Sequence, residues 1–366
     1  MAPEIETQTD DRYAALDELA SSITGESFRK WYGNRIFTRN IREGKHYFNK
    51  PPTVQPSERH SPSQLLQCHR RDYYSHFNAP EENPAPRGIF WTGSQFETEI
   101  ALPYLRDIVK EDLYVRNSLW IDYTVGREDV TLRIKGETDP VIVDADSVPV
   151  LPTEIKTQKS VDNLAEPDPR HRAQIHAYME GLSRKWDKDV RSALLLYADR
   201  TTFDLKRFRV DFDDEFWTQT VLTWAEAATE YRSTDKLPPD EPMYSWECSY
   251  CPFRERCGKG DTGFSDIGVR GLLPGYSGYN RQKLRTYLTA HDRTRLTPEM
   301  AVKYPNLAVE FPVHPWNCQV CGSNYDVEEI DAKSSSEPVC PSCAGDGVLS
   351  ELRVRSIEEE SEEHNS

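Results

Sequence analysis

The chain has 366 residues, 37% of them hydrophobic, and carries 61 acidic against 45 basic side chains for a formal net charge of −16. That length suits one large domain with a small companion; no apolar run approaches the ~20 residues that cross a bilayer, and no charged-then-apolar export signal opens the chain, which reads as cytoplasmic with no membrane partner. An acidic, arginine-rich surface points to a salt-loving source, and it repels nucleic acid at long range, so such a partner must be met by a local basic groove or through bound cations.

Residues 1–60 read as a polar and basic extension, unstructured over 1–11 and with helical periodicity over 12–50. Within it Arg29, Lys30, Arg35, Arg39, Arg42 and Lys45 interleave with Trp31, Tyr32 and Phe37. That mixture suits single-stranded nucleic acid, through phosphate contacts and base stacking; a helix whose aromatics pack on a core is the alternative. Residues 50–62 are a Pro- and Ser-rich connector. A helix is expected over 62–77, containing Cys68, and then a loop over 78–88. The apolar spacing of 92–109 predicts a helix kinked by Pro103. Strands are expected at about 114–125, 129–136, 140–144 and 149–156, then a helix at 168–186, strands at 191–199 and 202–211, and a helix at 214–233. This order predicts an α/β fold over 61–260, with helices sandwiching a mixed sheet. Residues 261–312 read as a linker with short helices at 280–291 and 297–305, 313–348 as a separate cysteine-bearing module, and 349–366 as an acidic, unfolded tail.

Two acids and a lysine in GETDPVIVDADSVPVLPTEIKTQKS, residues 136–160, look misplaced. Asp139 follows the strand that ends at Gly136. Glu154 and Lys156 flank Ile155 on a strand, where alternation turns both side chains to one face. Two carboxylates on adjoining strands, with the Ile155 carbonyl between them, make an oxygen-rich pocket suited to Mg²⁺ or Mn²⁺. The Lys156 ammonium beside such an ion would hold an attacking water and balance charge developing on a phosphate. A salt bridge on an edge strand is the ordinary alternative for a lone Glu-X-Lys. Gln174 and Tyr178, at i and i+4, share one face of the next helix. His171 and His176, on the same helix, read as ordinary polar neighbours.

Together GETDP, TEIKT and QIHAY resemble the PD-(D/E)XK nuclease superfamily, and specifically its RecB-like branch, whose helix after the catalytic strand carries Gln-X-X-X-Tyr. The resemblance covers roughly 60–260. It implies a restriction-endonuclease-like fold and a metal-dependent nuclease hydrolysing phosphodiester bonds in DNA, with Asp139, Glu154, Lys156, Gln174 and Tyr178 as its catalytic residues. Exonuclease action on single-stranded ends, in DNA repair or CRISPR adaptation, is implied with it. One position departs from the pattern: GSQFE puts Glu97 where the branch has a histidine. A glutamate there still ligates a hard cation; otherwise it is a surface acid on a helix whose site has decayed, and the protein is a non-catalytic module binding nucleic acid or a protein. No Gly-rich phosphate loop or nucleophilic serine motif is found, so other catalytic plans gain no support.

Eight cysteines in a cytosolic chain rarely form disulfides, and their spacing argues for two metal centres. Cys318-X₂-Cys321 and Cys340-X₂-Cys343, with 18 residues between the pairs, have the spacing of a zinc ribbon. The intervening loop is acidic, which favours a protein partner over DNA. Cys248, Cys251 and Cys257 form a C-x₂-C-x₅-C set with no fourth ligand close by. One cysteine ahead of the core, Cys68, and three behind it resemble the iron–sulfur RecB-like nucleases, a group that includes the CRISPR-associated exonuclease and AddB-type repair subunits. That resemblance implies a [4Fe–4S] cluster on Cys68, Cys248, Cys251 and Cys257, clasping the chain that enters the core to the chain that leaves it. Zinc is the rival occupant. His69, Arg70 and Arg71, beside Cys68, are a second candidate contact for nucleic acid.

Overall fold

A computed structural model describes residues 16–42, 54–83, 87–110, 112–127, 129–260, 271–291, 294–331 and 338–354. The expectations for residues 1–11, for Lys45 and for the end of the acidic tail lie outside these. The chain divides into two compact units, Met1–Pro51 and Pro52–Ser366. In the first, Gly25–Arg42 is a helix, α1, on which Phe28, Trp31 and Phe37 are exposed rather than packed in a core.

The second unit begins with β1 (Arg59–His60) and a 3₁₀ turn, Pro62–Gln64, that lead to α2 (His69–His76). The helix expected over 62–77 is therefore broken. Leu66 sits at φ 60°, a left-handed conformation through which no helix continues, and Cys68 becomes the N-cap of α2. Next, α3 (Arg87–Phe96) passes through one π-helical turn, Glu97–Ala101, into α4 (Leu102–Ile108). Pro103 lacks an N–H and its ring collides with the carbonyl four residues back, so the ladder widens there.

The single strand expected over 114–125 is two, β2 (Leu113–Arg116) and β3 (Trp120–Gly126), and they enter different sheets. The polar break at Asn117 and Ser118 lets the chain change sheets, and Thr138 pins it by a hydrogen bond from its N to the Leu119 carbonyl at 3.0 Å. β3 pairs antiparallel with β4 (Thr131–Glu137), which takes β1 in parallel on its other edge. β2 pairs with β5 (Val141–Asp144) in a sheet completed by β6 (Pro149–Gln158), β7 (Ser192–Asp199) and β8 (Leu205–Asp211), in the order β2-β5-β6-β7-β8. The one mixed sheet expected from sequence is thus two sheets, and the larger is mixed because β6 and β7 run parallel.

A parallel pair needs a crossover, which here is α5 (Pro169–Trp186). Asp168 caps it, its side chain accepting from Arg170 N at 2.8 Å, with Pro169 in the first turn. α5 presses so closely on β3 that a Cβ on Gly181 would lie 2.7 Å from Tyr123 Cε1 and 2.8 Å from Ile121 Cβ. After a π-helical turn, Phe216–Val221, α6 (Leu222–Ser233) closes the main core, where Trp224 and Ala225 join Ile121, Ile134, Ile175 and Leu195. The buried Arg232 guanidinium ties α6 to α2 through Asp72 and to the Arg59 carbonyl of β1 at 3.0 Å.

Residues 261–312, read from sequence as a linker with short helices at 280–291 and 297–305, hold among their described residues three helices, α7 (Arg281–Ala290), α8 (Pro298–Lys303) and α9 (Pro305–Glu310). They enclose an apolar cluster of their own around Leu273, Leu284, Leu296, Met300 and Leu307. Arg256, fully buried, joins this cluster to the core: its Nη2 donates to Glu82 Oε1 at 3.0 Å, to the Gly271 carbonyl at 3.2 Å and to Tyr279 Oη at 3.3 Å, while Tyr279 Oη donates to Glu82 at 2.7 Å. The chain ends in a small antiparallel sheet of order β10-β9-β11, made of β9 (Trp316–Cys318), β10 (Asn324–Tyr325) and β11 (Leu352–Arg353), with α10 (Pro341–Gly345) beside it. Among the described residues no helix is long and apolar enough to cross a membrane.

Candidate active site and cysteine centres

The turn from β4 to β5 carries Asp139, and β6 fixes it there. Thr153 donates to the Pro140 carbonyl from both N (3.0 Å) and Oγ1 (2.6 Å), and the Ile155 N–H donates to Asp139 Oδ2 at 2.8 Å. Ile155 packs into an apolar cluster with Phe96, Leu105 and Leu196, while Glu154 and Lys156 on either side of it pair with each other. Glu154 is buried and the Lys156 side chain is 27% exposed. On α5, Gln174 Nε2 donates to Tyr178 Oη at 2.7 Å, one helical turn on. Glu97, at the start of the π-helical turn, completes the set. Asp139, Glu154, Ile155, Lys156, Gln174, Tyr178 and Glu97 all line one cleft of about 650 Å³. The two histidines of α5 are spoken for elsewhere, His171 by the Tyr197 hydroxyl at 2.9 Å and His176 by the Arg172 carbonyl and the Asp213 N–H.

The cysteines fall into two sets. Cys318 and Cys343 are 3.6 Å apart at Sγ, as are Cys321 and Cys340, and all four sulfurs lie within 4.8 Å of one another. Four thiolates ~2.3 Å from one ion stand about 3.8 Å apart, so this cluster is spaced to hold a single metal ion. The Ser350 hydroxyl, 3.2 Å from Cys318 Sγ, lowers that thiol to about 6. Cys68, Cys248, Cys251 and Cys257 line a second cavity together with Arg70, Arg71 and Glu247. Among the described residues the first set is the one whose ligand atoms meet the 4.8 Å spacing, so the second is set wider. Burial pushes the Cys251 thiol up to about 12 and raises Cys68 and Cys257 as well.

The model of the PD-(D/E)XK nuclease superfamily matches residues 45–258, more than half of the chain. The chain belongs to the PD-(D/E)XK nuclease superfamily. Members are in general metal-dependent phosphodiesterases acting on nucleic acid. Among solved structures, that of SSO0001 is 18% identical with a TM-score of 0.41, over 62% of this chain and 96% of that one. Rai1 from Scheffersomyces stipitis is 16% identical with a TM-score of 0.18, over 33% of each chain. No curated protein matches.

The electrostatics of the cleft suit the divalent metal of a PD-(D/E)XK nuclease. Burial first, and the charge of Asp139 second, push the Glu154 carboxyl up to about 8. Burial likewise raises Asp139, against the pull of Lys156. Burial opposes the charge on Lys156, but Glu154, Asp139 and Glu97 outweigh it and raise that ammonium, so it stays a cation. Glu154 Oε2 is buried without a hydrogen bond of ordinary geometry, although the Tyr178 phenol is close enough to lower that carboxyl, and a poorly met oxygen is costly for a carboxylate. Asp139 and Glu154, buried on either side of a strand backbone, are oxygen donors of the kind a hard divalent ion takes; Glu97 lines the same cleft, but the three carboxylates do not all come within 4.8 Å of one another. Sequence reasoning missed the rest of the lining. Arg59, Phe90, Trp120 and Lys135 reach the same cleft from β1, α3, β3 and β4, and no local spacing announces a meeting of four separate elements.

Proposed function

We propose that this PD-(D/E)XK protein is a Mg²⁺- or Mn²⁺-dependent deoxyribonuclease of the RecB-like iron–sulfur kind, an exonuclease on single-stranded ends serving DNA repair or CRISPR adaptation. The observation that carries the reading is the convergence of Asp139, Glu154 and Lys156 on one cleft beside a poorly met carboxylate oxygen. Asp139, Glu154, Glu97 and the Ile155 carbonyl would hold the ion, which supplies Lewis acidity at the phosphate and a water of lowered pKa. The chain's own groups do the rest. Lys156, held protonated by its acidic neighbours, donates to the attacking water and balances negative charge as it grows on the phosphate. Tyr178 accepts from Gln174, so its own proton is left for Glu154 or a phosphate oxygen.

The wider cysteine set, Cys68 with Cys248, Cys251 and Cys257, supports a [4Fe–4S] cluster, whose thiolates stand farther apart than the ligands of one zinc ion. The close set supports Zn²⁺, in a module we assign to contact with a protein partner. Protein purified without oxygen and incubated with labelled single- and double-stranded DNA tests the activity. Cleavage is expected with Mn²⁺ and not with EDTA, and a fall of at least ~10²-fold in Asp139→Ala and Lys156→Ala. Undiminished cleavage by both variants would sink the assignment. Iron analysis and absorbance near 400 nm test the cluster.

A further inference from the structure

Phe90 and Trp120 line the catalytic cleft yet remain 69% and 55% exposed. They come from separate elements, the first turn of α3 and the first residue of β3. Large rings left in water forgo the burial that drives folding. Three tryptophans of the second unit, Trp217, Trp224 and Trp316, are at most 4% exposed, whereas Trp91 and Trp246 are at 37% and Trp120 is the more exposed. Arg59 lines the same cleft as Lys156, and so does Lys135, whose ammonium is paired with Asp122 at 3.0 Å.

We propose that Phe90 and Trp120 are a base-stacking pair that selects an unpaired polynucleotide strand for this cleft. The proposal rests on the nuclease reading of the same site and names what that site accepts. Inside a duplex both faces of every base are covered by neighbouring bases, and only the terminal pair leaves one open, so the two rings have little to stack on. An unpaired nucleotide has one to offer, whatever its sequence, because every base has a π-face. Stacking also suits this chain's charge. With a net charge of −16, long-range attraction to phosphates is poor, and phosphate contacts fade as salt rises. Ring-on-base contact depends on neither.

The test is binding, followed by fluorescence anisotropy of the full-length protein in Ca²⁺. The probes are a labelled deoxy strand, a ribo strand of the same sequence, a blunt hairpin whose stem pairs that sequence with its complement through a non-nucleotide linker, and a strand of the same length with abasic residues. The wild type is expected to bind the natural strand at least about tenfold more tightly than the hairpin or the abasic strand. Phe90→Ala and Trp120→Ala should each lose about tenfold on the natural strand and nothing on the abasic one, while Phe90→Tyr and Trp120→Phe keep most of the affinity. Both rings are mostly in water, so melting temperatures should not move, and the salt dependence of binding should stay that of the wild type. Equal binding of natural and abasic strands, an equal loss on both, or a preference for the hairpin overturns the proposal. If it fails while Asp139-dependent cleavage persists, the nuclease reading stands alone. If stacking holds without cleavage, the pair stands and the catalytic reading falls; if no probe is bound or cleaved, both fall. Tighter binding of the deoxy or of the ribo strand identifies the source of the base.

Discussion

At Glu154, burial, a neighbouring carboxylate and a lysine act on one side chain, and burial prevails: the carboxyl is held up to about 8. A divalent ion reverses that balance, so metal and fold are linked. At 100 times the dissociation constant, Mn²⁺ should stabilise the wild type by ~2.7 kcal/mol, read as a rise in melting temperature. Glu154→Gln should melt no lower than the wild type without metal, since the amide carries no charge to bury, and should lose most of the Mn²⁺ shift. An unreduced shift in that variant would mean the ion sits elsewhere. A second residue-scale effect concerns His60, whose pKa burial and then the Arg232 charge depress well below 6.5, and His76, lowered to about 4 for the same two reasons. Between about pH 4 and 6.5 the unfolded chain therefore binds protons that the folded one refuses. The stability these groups confer is complete above pH 6.5 and is lost as pH falls toward 4. His60→Gln, which keeps a donor for Thr229 but cannot titrate, should melt with a shallower decline from pH 7 to 5. That the acids, Lys156, Gln174, Tyr178 and Glu97 share one cleft was anticipated in the sequence through the resemblance carried by GETDP, TEIKT, QIHAY and GSQFE rather than by any single spacing. Phe90 and Trp120 were not, because nothing near either residue encodes the cleft they share.

Elements were legible where period and length agreed, as in α5, β7 and α6. They were misread where a single backbone event overrode the pattern. Leu66 in the left-handed region ends a helix that the surrounding apolar spacing would have continued, and no side-chain pattern records a φ angle. The break at Asn117 is similar: two residues suffice to move the chain from one sheet to another. The seat of α5 offers a sharp test. Because a Cβ at position 181 would meet Tyr123 and Ile121 well inside contact distance, Gly181→Ala should destabilise by about 1–3 kcal/mol in urea unfolding, despite alanine's better helix propensity. A stabilised variant would mean that α5 rides farther from β3 than described. Since α5 also carries Gln174 and Tyr178, the same substitution should weaken cleavage beyond the stability loss alone.

At the scale of the whole molecule, the described residues of the terminal cysteine module form a small core of Trp316, Ile330, Leu352, Cys318, Cys340 and Cys343, with Tyr325 packed against it. So little apolar area leaves its folding to the metal. Cys340→Ser, or chelation, should expose residues 314–354 to protease while the melting of the nuclease core stays near that of the wild type; a module that resists cleavage without metal would contradict this. The boundary between the nuclease core and the helices α7–α9 is where the sequence was least informative, since a polar, Gly-rich approach to residue 280 looks like a tether. Arg256 makes the practical point. Its guanidinium sits on the loop that presents Cys251 and Cys257, and it reaches forward to Gly271 and Tyr279 as well as back to Glu82. A protein trimmed after residue 260 to isolate the catalytic half would cut those forward bonds. It would also strip Glu82 of the Tyr279 phenol and leave the loop of Cys251 and Cys257 anchored on one side only. Anyone shortening this chain for biochemistry should expect a loosened fragment, and should read its weak activity as a severed fastening rather than as proof that the cleft is inert.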